Sequence, residues 1–188
     1  MTKPRIIAIT GYSRVGKDTA ADGLVSLGFQ KLCFATALKE AIYEYNPILF
    51  TDLDGEVYLQ EVIDRLGWED AKDRYPEVRE HLQDFVMAMR HHVDPDIWVK
   101  AVALQVTGDT VIPDCRFPNE VEWVRSMGGV IVRITRPGVG PVNDHISEQP
   151  IDHDIEVINQ GSPSDLHNGL NFSLAAFIAR RNQEALRG

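Results

Sequence analysis

The sequence predicts a three-layer α/β fold in which helices flank a central, mainly parallel five-stranded sheet. Two observations support this prediction. Short apolar runs typical of strands alternate with segments of helical spacing, and a length of 188 residues suits one domain with a sizeable core. The strand-like runs are residues 5–10, 30–34, 110–114, 130–135 and 155–158. Because helical segments separate these runs, we expect the strands to pair in parallel.

The first strand leads into a helix that is predicted from Gly16 to about Leu27. Gly28 follows, which is typical of the residue just after a helix. The next segment, residues 37–106, is more polar and has mostly helical spacing, with stops at three prolines, Pro47, Pro76 and Pro95. We therefore predict a helical insertion beside the sheet that offers a place for a second substrate.

The remaining residues, 1–36 and 107–188, are expected to form the core of the same single domain. After the strand at residues 130–135 comes a stretch without an apolar period, about residues 136–149, which we predict to be a lid. The chain then forms the last strand and a C-terminal helix. Leu174, Phe177 and Ile178 suit the face of that helix that packs on the sheet, with fraying after Arg181.

Composition and charge exclude several classes of function. A formal net charge of −9 repels polyanions and disfavours general binding of nucleic acid. The apolar stretches are far shorter than the roughly 18 residues that span a bilayer, and no signal-peptide core precedes the first strand. The sequence therefore predicts a cytoplasmic protein without a membrane partner. Cys33 and Cys115 lack CxxC spacing, so we expect two buried thiols rather than a disulfide or zinc site.

The most specific motif is the glycine-rich stretch of residues 11–19, Gly-Tyr-Ser-Arg-Val-Gly-Lys-Asp-Thr, which directly follows the apolar run 6–9. Glycines permit turns that a Cβ would obstruct, so backbone N–H groups can point at phosphate oxygens at the positive end of the next helix. Lys17 adds a mobile charge for the β and γ oxygens. The motif predicts a binding site for a nucleoside triphosphate, formed by Gly11, Ser13, Arg14, Val15, Gly16, Lys17, Asp18 and Thr19.

Asp18 stands where this motif normally has a hydroxyl residue, and Thr19 comes one place later. In P-loop GTPases and ATPases the residue after the lysine binds Mg²⁺ directly. The Gly-Lys-x-Thr form instead resembles nucleoside monophosphate kinases, in which Mg²⁺ is held largely through water and phosphate. Thr19 is then expected to bond the α-phosphate or to cap the helix.

A second group of polar residues follows the strand at 110–114. Asp114 and Arg116 come at its carboxyl end, which is where ligands bind in parallel α/β sheets. We expect Asp114 to hold the water shell of Mg²⁺ and Arg116 to contact a phosphate. Pro118 suits the first turn of the next helix. A turn and helix cap without a ligand is the alternative reading of the same residues.

The predicted lid begins with thirteen residues, 136–148, that contain two prolines and two glycines. Arg133 and Arg136 lie at its base, and closure over ATP would bring a guanidinium group near the transferring phosphoryl group. The alternative for both arginines is a solvated surface charge. His145, Ser147 and Glu148 are candidates to lock the closed lid by hydrogen bonds.

Several motifs together resemble the bacteriophage deoxynucleoside monophosphate kinases, over nearly the whole chain and in the right order. They are Gly16-Lys17-Asp18-Thr19, Phe34-Ala35 with Leu38-Lys39, Leu82-Gln83, Asp96-Ile97-Trp98-Val99, Asp114 to Glu120, Arg136-Pro137-Gly138, Asp144 to Glu148 and Ile158 to Gly161. The resemblance implies the P-loop kinase fold, a host-cytoplasmic location if the chain is phage-encoded, ATP with Mg²⁺, and a deoxynucleoside monophosphate as acceptor. Residues 84–87 depart from the pattern, where a small glycine-bearing turn is expected.

The resemblance also implies residues of the acceptor pocket. Lys39 or Arg90 would contact the acceptor phosphate, Gln83 a base edge, and Trp98 would stack on the base or pack behind it. Lys17, Arg116 and Arg136 would be catalytic through charge. The sequence contains no arrangement typical of a general base, and none is required, because a phosphate monoester with a second pKa near 6 is already a nucleophile at neutral pH.

Two alternatives stay open at this stage. The first is another small-molecule kinase, similar to dephospho-coenzyme A kinase, because the phosphate loop and lid would be shared. The second is a P-loop ATPase that drives a conformational switch, although Asp18 replaces the hydroxyl that such a protein uses for Mg²⁺. The accepted base and the formation of a homodimer are also left open.

Overall fold

The computed structural model describes residues 4–142, 146 and 149–187. The chain divides into two compact units. The core unit comprises Met1–Cys33 and Val102–Gly188, and the helical unit comprises Phe34–Ala101. In chain order the elements are β1 Ile6–Thr10, α1 Lys17–Val25, β2 Gln30–Lys31, α2 Phe34–Tyr45, β3 Ile48–Thr51, β4 Gly55–Tyr58, α3 Leu59–Arg74, α4 Pro76–His92, α5 Ile97–Ala103, β5 Thr110–Ile112, α6 Pro118–Ser126, β6 Val130–Thr135, β7 Ile155–Ile158 and α7 Pro163–Ala185.

The core unit contains a five-stranded sheet in the order β2-β5-β1-β6-β7, and every neighbouring pair is parallel. This confirms the predicted fold class. All five residues of β1 are buried, as expected for the central strand of a sheet covered on both faces. Ile7 and Ile9 pack with α1 and α7, and alternation along the strand turns Ile6 and Ala8 to the opposite face, where α6 contacts β1 and β6.

Two strands end earlier than predicted. β2 ends at Lys31, and only two residues separate it from the start of α2, while β5 ends at Ile112. Pro113 follows β5 and has no N–H to donate to the sheet, so regular pairing stops there. Cys33 and Cys115 therefore lie beyond the strands, and they form no disulfide with each other.

The helix that follows the glycine loop and the C-terminal helix both have ends that differ from the prediction. α1 begins at Lys17, after Gly16 as the N-cap, and it ends at Val25. Thr19 consequently lies inside the helix, so it is not the helix cap. α7 does not fray after Arg181 but continues to Ala185, with Ser162 and Asp165 forming a capping box at its start.

The helical unit has its own apolar cluster, which includes Ile42 of α2, Leu49 of β3, Val62 of α3 and Val78 of α4. The sequence prediction of a mostly helical segment missed the antiparallel hairpin of β3 and β4. Each hairpin strand has only four residues, which is too short for alternation to distinguish it from a loop. Pro76 was predicted only to end a helix, but it is also the first residue of α4.

Among the residues that the structure describes, no helix has the length and apolar character that a membrane span requires.

Candidate active site

The glycine loop links the buried strand β1 to the first turn of α1. Gly11 has φ +137° and Gly16 has φ +103°, conformations that L side chains rarely adopt. A Cβ at Gly11 would overlap the carbonyl oxygen of Ile134, and one at Gly16 would lie 2.6 Å from Nδ2 of Asn159. The loop is therefore packed tightly between the ends of β6 and β7. Arg14 also has a positive φ of 65°, so three residues of this short loop leave the usual backbone regions.

Asn159 holds the glycine loop from the carboxyl end of β7. Its side-chain amide donates a hydrogen bond of 2.8 Å to the carbonyl oxygen of Val15, and its backbone N–H donates one of 2.7 Å to the carbonyl of Thr135. The residue is 8% exposed. A buried amide bonded at both its backbone and side chain positions the loop that it touches.

The ammonium group of Lys17 lies over its own loop. Nζ donates a hydrogen bond of 2.7 Å to the carbonyl oxygen of Tyr12. A carbonyl oxygen is a neutral acceptor, and an ammonium group gains roughly twice as much from an ionised one. The side chain is thus placed to exchange this contact for a phosphate oxygen.

A cleft of about 400 Å³ lies at the start of α1, entirely within the core unit. Three basic side chains and one carboxylate line it, together with the loop after β7 and the start of α7. The lining residues are Arg14, Gly16, Lys17, Asp18, Thr19, Arg136, Asn159, Gly161, Pro163 and Leu166. The excess of positive charge beside a helix N-terminus favours a polyanion in a chain whose net charge is −9.

Asp18, which replaces the usual hydroxyl residue, is paired with a lysine of β2. Nζ of Lys31 lies 3.0 Å from Oδ1 of Asp18 and 2.9 Å from Oδ1 of Asp22. Burial opposes the charged form of Lys31, but these hydrogen bonds raise its pKa above the ordinary value. The Asp18 side chain is 79% exposed, so its charge is only partly offset by Lys31.

Asp114 and Arg116 lie in the turn between β5 and α6. Glu120, only 2% exposed, accepts hydrogen bonds from the backbone N–H of Arg116 at 2.7 Å and of Phe117 at 3.0 Å. Pro118 begins α6, as predicted. The turn adjoins the carboxyl end of β1 through the bond from the N–H of Cys115 to the carbonyl of Ile9.

Within the described part of the chain, neither Asp114 nor Arg116 belongs to the lining of the cleft. Cys115, between them, is buried, and desolvation raises the pKa of its thiol well above the usual range, so it stays a neutral thiol.

The two arginines at the base of the predicted lid occupy different places. Arg136 lines the cleft beside Lys17. Arg133 lies on β6 in register with Thr10, and its guanidinium carbon is 5.9 Å from the centre of the Tyr12 ring. His145, Ser147 and Glu148 lie outside the described residues.

The remaining predicted residues belong to the helical unit. Lys39 is on α2, Gln83 and Arg90 are half-buried on α4, and Trp98 is on α5 with 5% exposure. The Trp98 indole N–H is buried and has no hydrogen-bond partner among the described residues. The indole N–H can therefore donate a new hydrogen bond at no cost to existing ones.

No cluster of three or more His, Cys, Asp or Glu side chains within the described ranges is arranged to hold a metal ion. Mg²⁺ commonly binds through one or two carboxylates, water and substrate phosphates, so the residues present suit that mode rather than an all-protein site. The rings of His91 and His92 meet edge to face with centres 4.6 Å apart.

Sequence reasoning missed two residues that act on the loop. Asn159 follows β7 directly, and its position at the carboxyl end of a parallel strand was the available signal. Lys31 gave no comparable signal, because its pairing with Asp18 depends on how β2 lies beside α1.

A phosphate loop between the central strand of a parallel sheet and the first helix defines the fold of P-loop nucleotide-binding proteins. The model of the deoxynucleotide monophosphate kinase family matches residues 69–170, more than half of the chain. The chain belongs to this family, and it is therefore a kinase.

Among the proteins that are similar to the chain are two viral relatives and one solved structure. A protein of Acanthamoeba polyphaga mimivirus, provisionally named a deoxynucleotide monophosphate kinase, is 25% identical over 87% of this chain and 92% of its own length. The deoxynucleotide monophosphate kinase of Enterobacteria phage T4 is 30% identical over 45% of this chain and 39% of its own length. The structure of TT1252 from Thermus thermophilus aligns with a TM-score of 0.51 and 19% identity, covering 93% of this chain and 98% of its own, which supports the fold alone.

Proposed function

We propose that the protein transfers the γ-phosphoryl group of ATP to a deoxynucleoside monophosphate and releases ADP and a deoxynucleoside diphosphate. The observation that carries this proposal is the cleft at the start of α1, which Lys17, Arg14 and Arg136 line. The chain that forms this cleft belongs to the deoxynucleotide monophosphate kinase family. The partners are small molecules. Both similar viral proteins come from agents that replicate in a host, so the host cytoplasm is the proposed place of action.

The glycine loop is the proposed site for the triphosphate of ATP. Backbone N–H groups of residues 11–19 bind the β-phosphate oxygens, and Lys17 exchanges its contact with Tyr12 for the β and γ oxygens. Ser13, Val15 and Thr19 act through the loop backbone or a hydroxyl group. Arg14 adds a second positive charge, and Arg133 supports the loop from β6 through Tyr12.

Mg²⁺ is the proposed metal, bound through water and phosphate oxygens. Asp114, after β5, is the proposed holder of its water shell. When bound, the ion neutralises charge on the phosphate oxygens.

The helical unit is the proposed acceptor-binding part of the molecule. Lys39 and Arg90 offer cations for the acceptor phosphate, and Gln83 offers a base contact. The buried Trp98, whose indole N–H has no hydrogen-bond partner within the described ranges, packs behind the base. These four assignments rest on the family resemblance and on the character of each side chain.

Catalysis is positioning combined with charge neutralisation. The acceptor phosphate needs no general base, because its second pKa lies near 6. Two polyanions must be brought into line, and Lys17, Arg116 and Arg136 offset their repulsion. The loop from Arg136 onward is the proposed lid that excludes water, which would otherwise hydrolyse ATP.

A coupled ADP-release assay tests the proposal. ATP and Mg²⁺ are supplied without an acceptor, with dephospho-coenzyme A, and with each deoxyribonucleoside and ribonucleoside monophosphate in turn. Lys17→Ala prepared in parallel controls for contaminating host kinases. We expect ADP release only with one or more deoxynucleoside monophosphates. Release without any acceptor would favour the ATPase switch, release with dephospho-coenzyme A alone would favour that kinase, and silence across the panel would reject the activity.

A further inference from the structure

Two lysines from two helices of the helical unit meet at one carboxylate, and an arginine of a third helix acts on one of them. Nζ of Lys72, on α3, lies 2.6 Å from Oε1 of Glu69, and Nζ of Lys39, on α2, lies 3.8 Å from the same oxygen. Arg79, on α4, is close enough to Lys72 to repel its ammonium group. Sequence reasoning singled out only Lys39, because Lys72 and Arg79 become its neighbours through the packing of the helices.

Lys72 is more buried than Lys39 and Glu69. Its side chain is 17% exposed, whereas that of Lys39 is 31% exposed and that of Glu69 is 79% exposed. Burial lowers the pKa of Lys72, its hydrogen bond to Glu69 partly restores it, and repulsion from Lys39 and Arg79 lowers it further. A desolvated ammonium group among like charges gains more from an added anion than a solvated surface lysine does.

Glu69 is a weak partner for this much positive charge. Its exposed side chain holds both lysines through one oxygen, and exposed ion pairs of this kind contribute little. These four side chains carry three positive charges and one negative charge, which leaves a surplus of two. A phosphate monoester at neutral pH carries close to two negative charges, so it matches that surplus.

The local backbone supports the arrangement. Gly67 has φ +72° inside α3 and changes the direction of the helix just before Trp68 and Glu69. The indole ring of Trp68 then lies beneath Lys39, with Nζ 5.6 Å from the ring centre. This contact keeps Lys39 beside Glu69 and Lys72 rather than in solvent.

We propose that Lys72, together with Lys39 and Arg79, binds the phosphate of the acceptor, and that Glu69 occupies this place until the phosphate displaces it. The inference rests on the proposed function and names the group that recognises a monophosphate rather than a nucleoside. The alternative is a purely structural ion pair that ties the helices together and does not respond to phosphate.

Reductive methylation of the wild-type chain, followed residue by residue by peptide mass spectrometry, tests the site without turnover. We expect millimolar inorganic phosphate, and at lower concentration dTMP, dGMP, dCMP or dAMP, to slow the methylation of Lys72 at least fivefold. Lys100, 65% exposed in the same unit and paired with Asp94, serves as the internal control and should react at an unchanged rate. A rate at Lys72 that neither phosphate nor any monophosphate alters overturns the inference.

Steady-state kinetics supply the second test, with the acceptor found in the ADP-release panel. Lys72→Met keeps the apolar stem and should raise the acceptor KM at least tenfold while the ATP KM changes less than twofold. Lys72→Arg should recover part of the loss, Glu69→Gln should lower the acceptor KM, and Lys100→Met should change neither constant. Equal effects of Lys72→Met on both substrates would indicate a structural role and overturn the inference. A silent panel with Lys72 still protected by phosphate would reject the proposed function but not the anion site.

Discussion

The side-chain amide of Asn159 donates a 2.8 Å hydrogen bond to the carbonyl oxygen of Val15, across 144 positions of the sequence. This bond joins the end of β7 to the glycine loop, immediately before Gly16. Because Gly16 has no Cβ, the amide can approach the loop closely, and any larger residue there would meet Nδ2 at 2.6 Å. The shape of the phosphate loop therefore depends on a residue far from its own motif.

Asn159→Ala should weaken ATP binding without abolishing the fold. Loss of one buried hydrogen bond costs about 1 kcal/mol of stability, and a loosened loop should raise the ATP KM roughly tenfold. Asn159→Asp should have a larger effect, because it places a carboxylate in the cleft beside the triphosphate. ATP titration and urea unfolding measure the two quantities.

Asn182, an exposed residue of α7, gives a matched control, since Asn182→Ala removes an amide that does not line the cleft. If Asn159→Ala and Asn182→Ala bind ATP equally well, the bond to Val15 does not position the loop.

Lys17→Ala should leave a folded protein with kcat lower by about two to three orders of magnitude, the usual cost of removing one charge from a phosphoryl-transfer site. Stability should change little, because the Lys17 ammonium donates a part-buried hydrogen bond to the neutral Tyr12 carbonyl, and such a bond contributes about 1 kcal/mol. Circular dichroism establishes the fold, and the coupled assay measures kcat. Wild-type turnover in this variant would remove the lysine from the mechanism.

Arg136→Ala should lower kcat more than it weakens ATP binding. The side chain lines the cleft with Lys17, and it follows β6, at the base of the proposed lid. A group that acts mainly in the transition state lowers kcat and kcat/KM together, whereas a ground-state contact changes KM alone. Arg187→Ala, at an exposed site, controls for the loss of one positive charge. A change confined to the ATP KM would assign Arg136 to substrate binding.

The parallel sheet could be predicted from the sequence because its strands are apolar runs separated by helical segments. The buried strand β1 and the exact β6 and β7 ranges followed from these runs. The hairpin of β3 and β4 could not be predicted in the same way, because each strand has four residues and one face is exposed. Short strands carry too little alternation, so their pairing is decided by the helices that cover them.

The glycine loop could be predicted because the spacing of Gly11, Gly16 and Lys17 has a local physical meaning. The position of Asn159 after a strand was a signal that it lies near the site, but its bond to Val15 could not be predicted, because it arises only when β7 lies next to β6. The same holds for Lys72, whose neighbour Lys39 comes from another helix. Contacts between distant segments have no local pattern in one sequence.

Lys31→Met should weaken ATP binding through Asp18. Without the 3.0 Å ion pair, the carboxylate at the cleft repels the triphosphate more strongly. The pair is exposed, so we expect only about a threefold rise in the ATP KM, in keeping with surface pairs of up to about 1 kcal/mol. Asp18→Asn in the same chain should reverse the rise. If Lys31→Met raises the ATP KM equally in the wild-type chain and in the Asp18→Asn chain, Lys31 does not act through this carboxylate.

Tyr75→Phe should reduce the acid sensitivity of the helical unit. The buried Tyr75 hydroxyl donates to Asp54 and is the main cause that lowers the pKa of this carboxyl below 3.8 in the folded chain, with Arg65 adding to it. A carboxyl whose pKa is lowered by folding stabilises the folded chain at pH values above its ordinary pKa. This contribution is lost as the pH falls through the pKa of the folded state. The urea midpoint of the wild type should therefore fall more between pH 7 and pH 3 than that of Tyr75→Phe. Tyr45→Phe, at a residue 72% exposed, should behave as the wild type, and equal falls in all three chains would contradict this account.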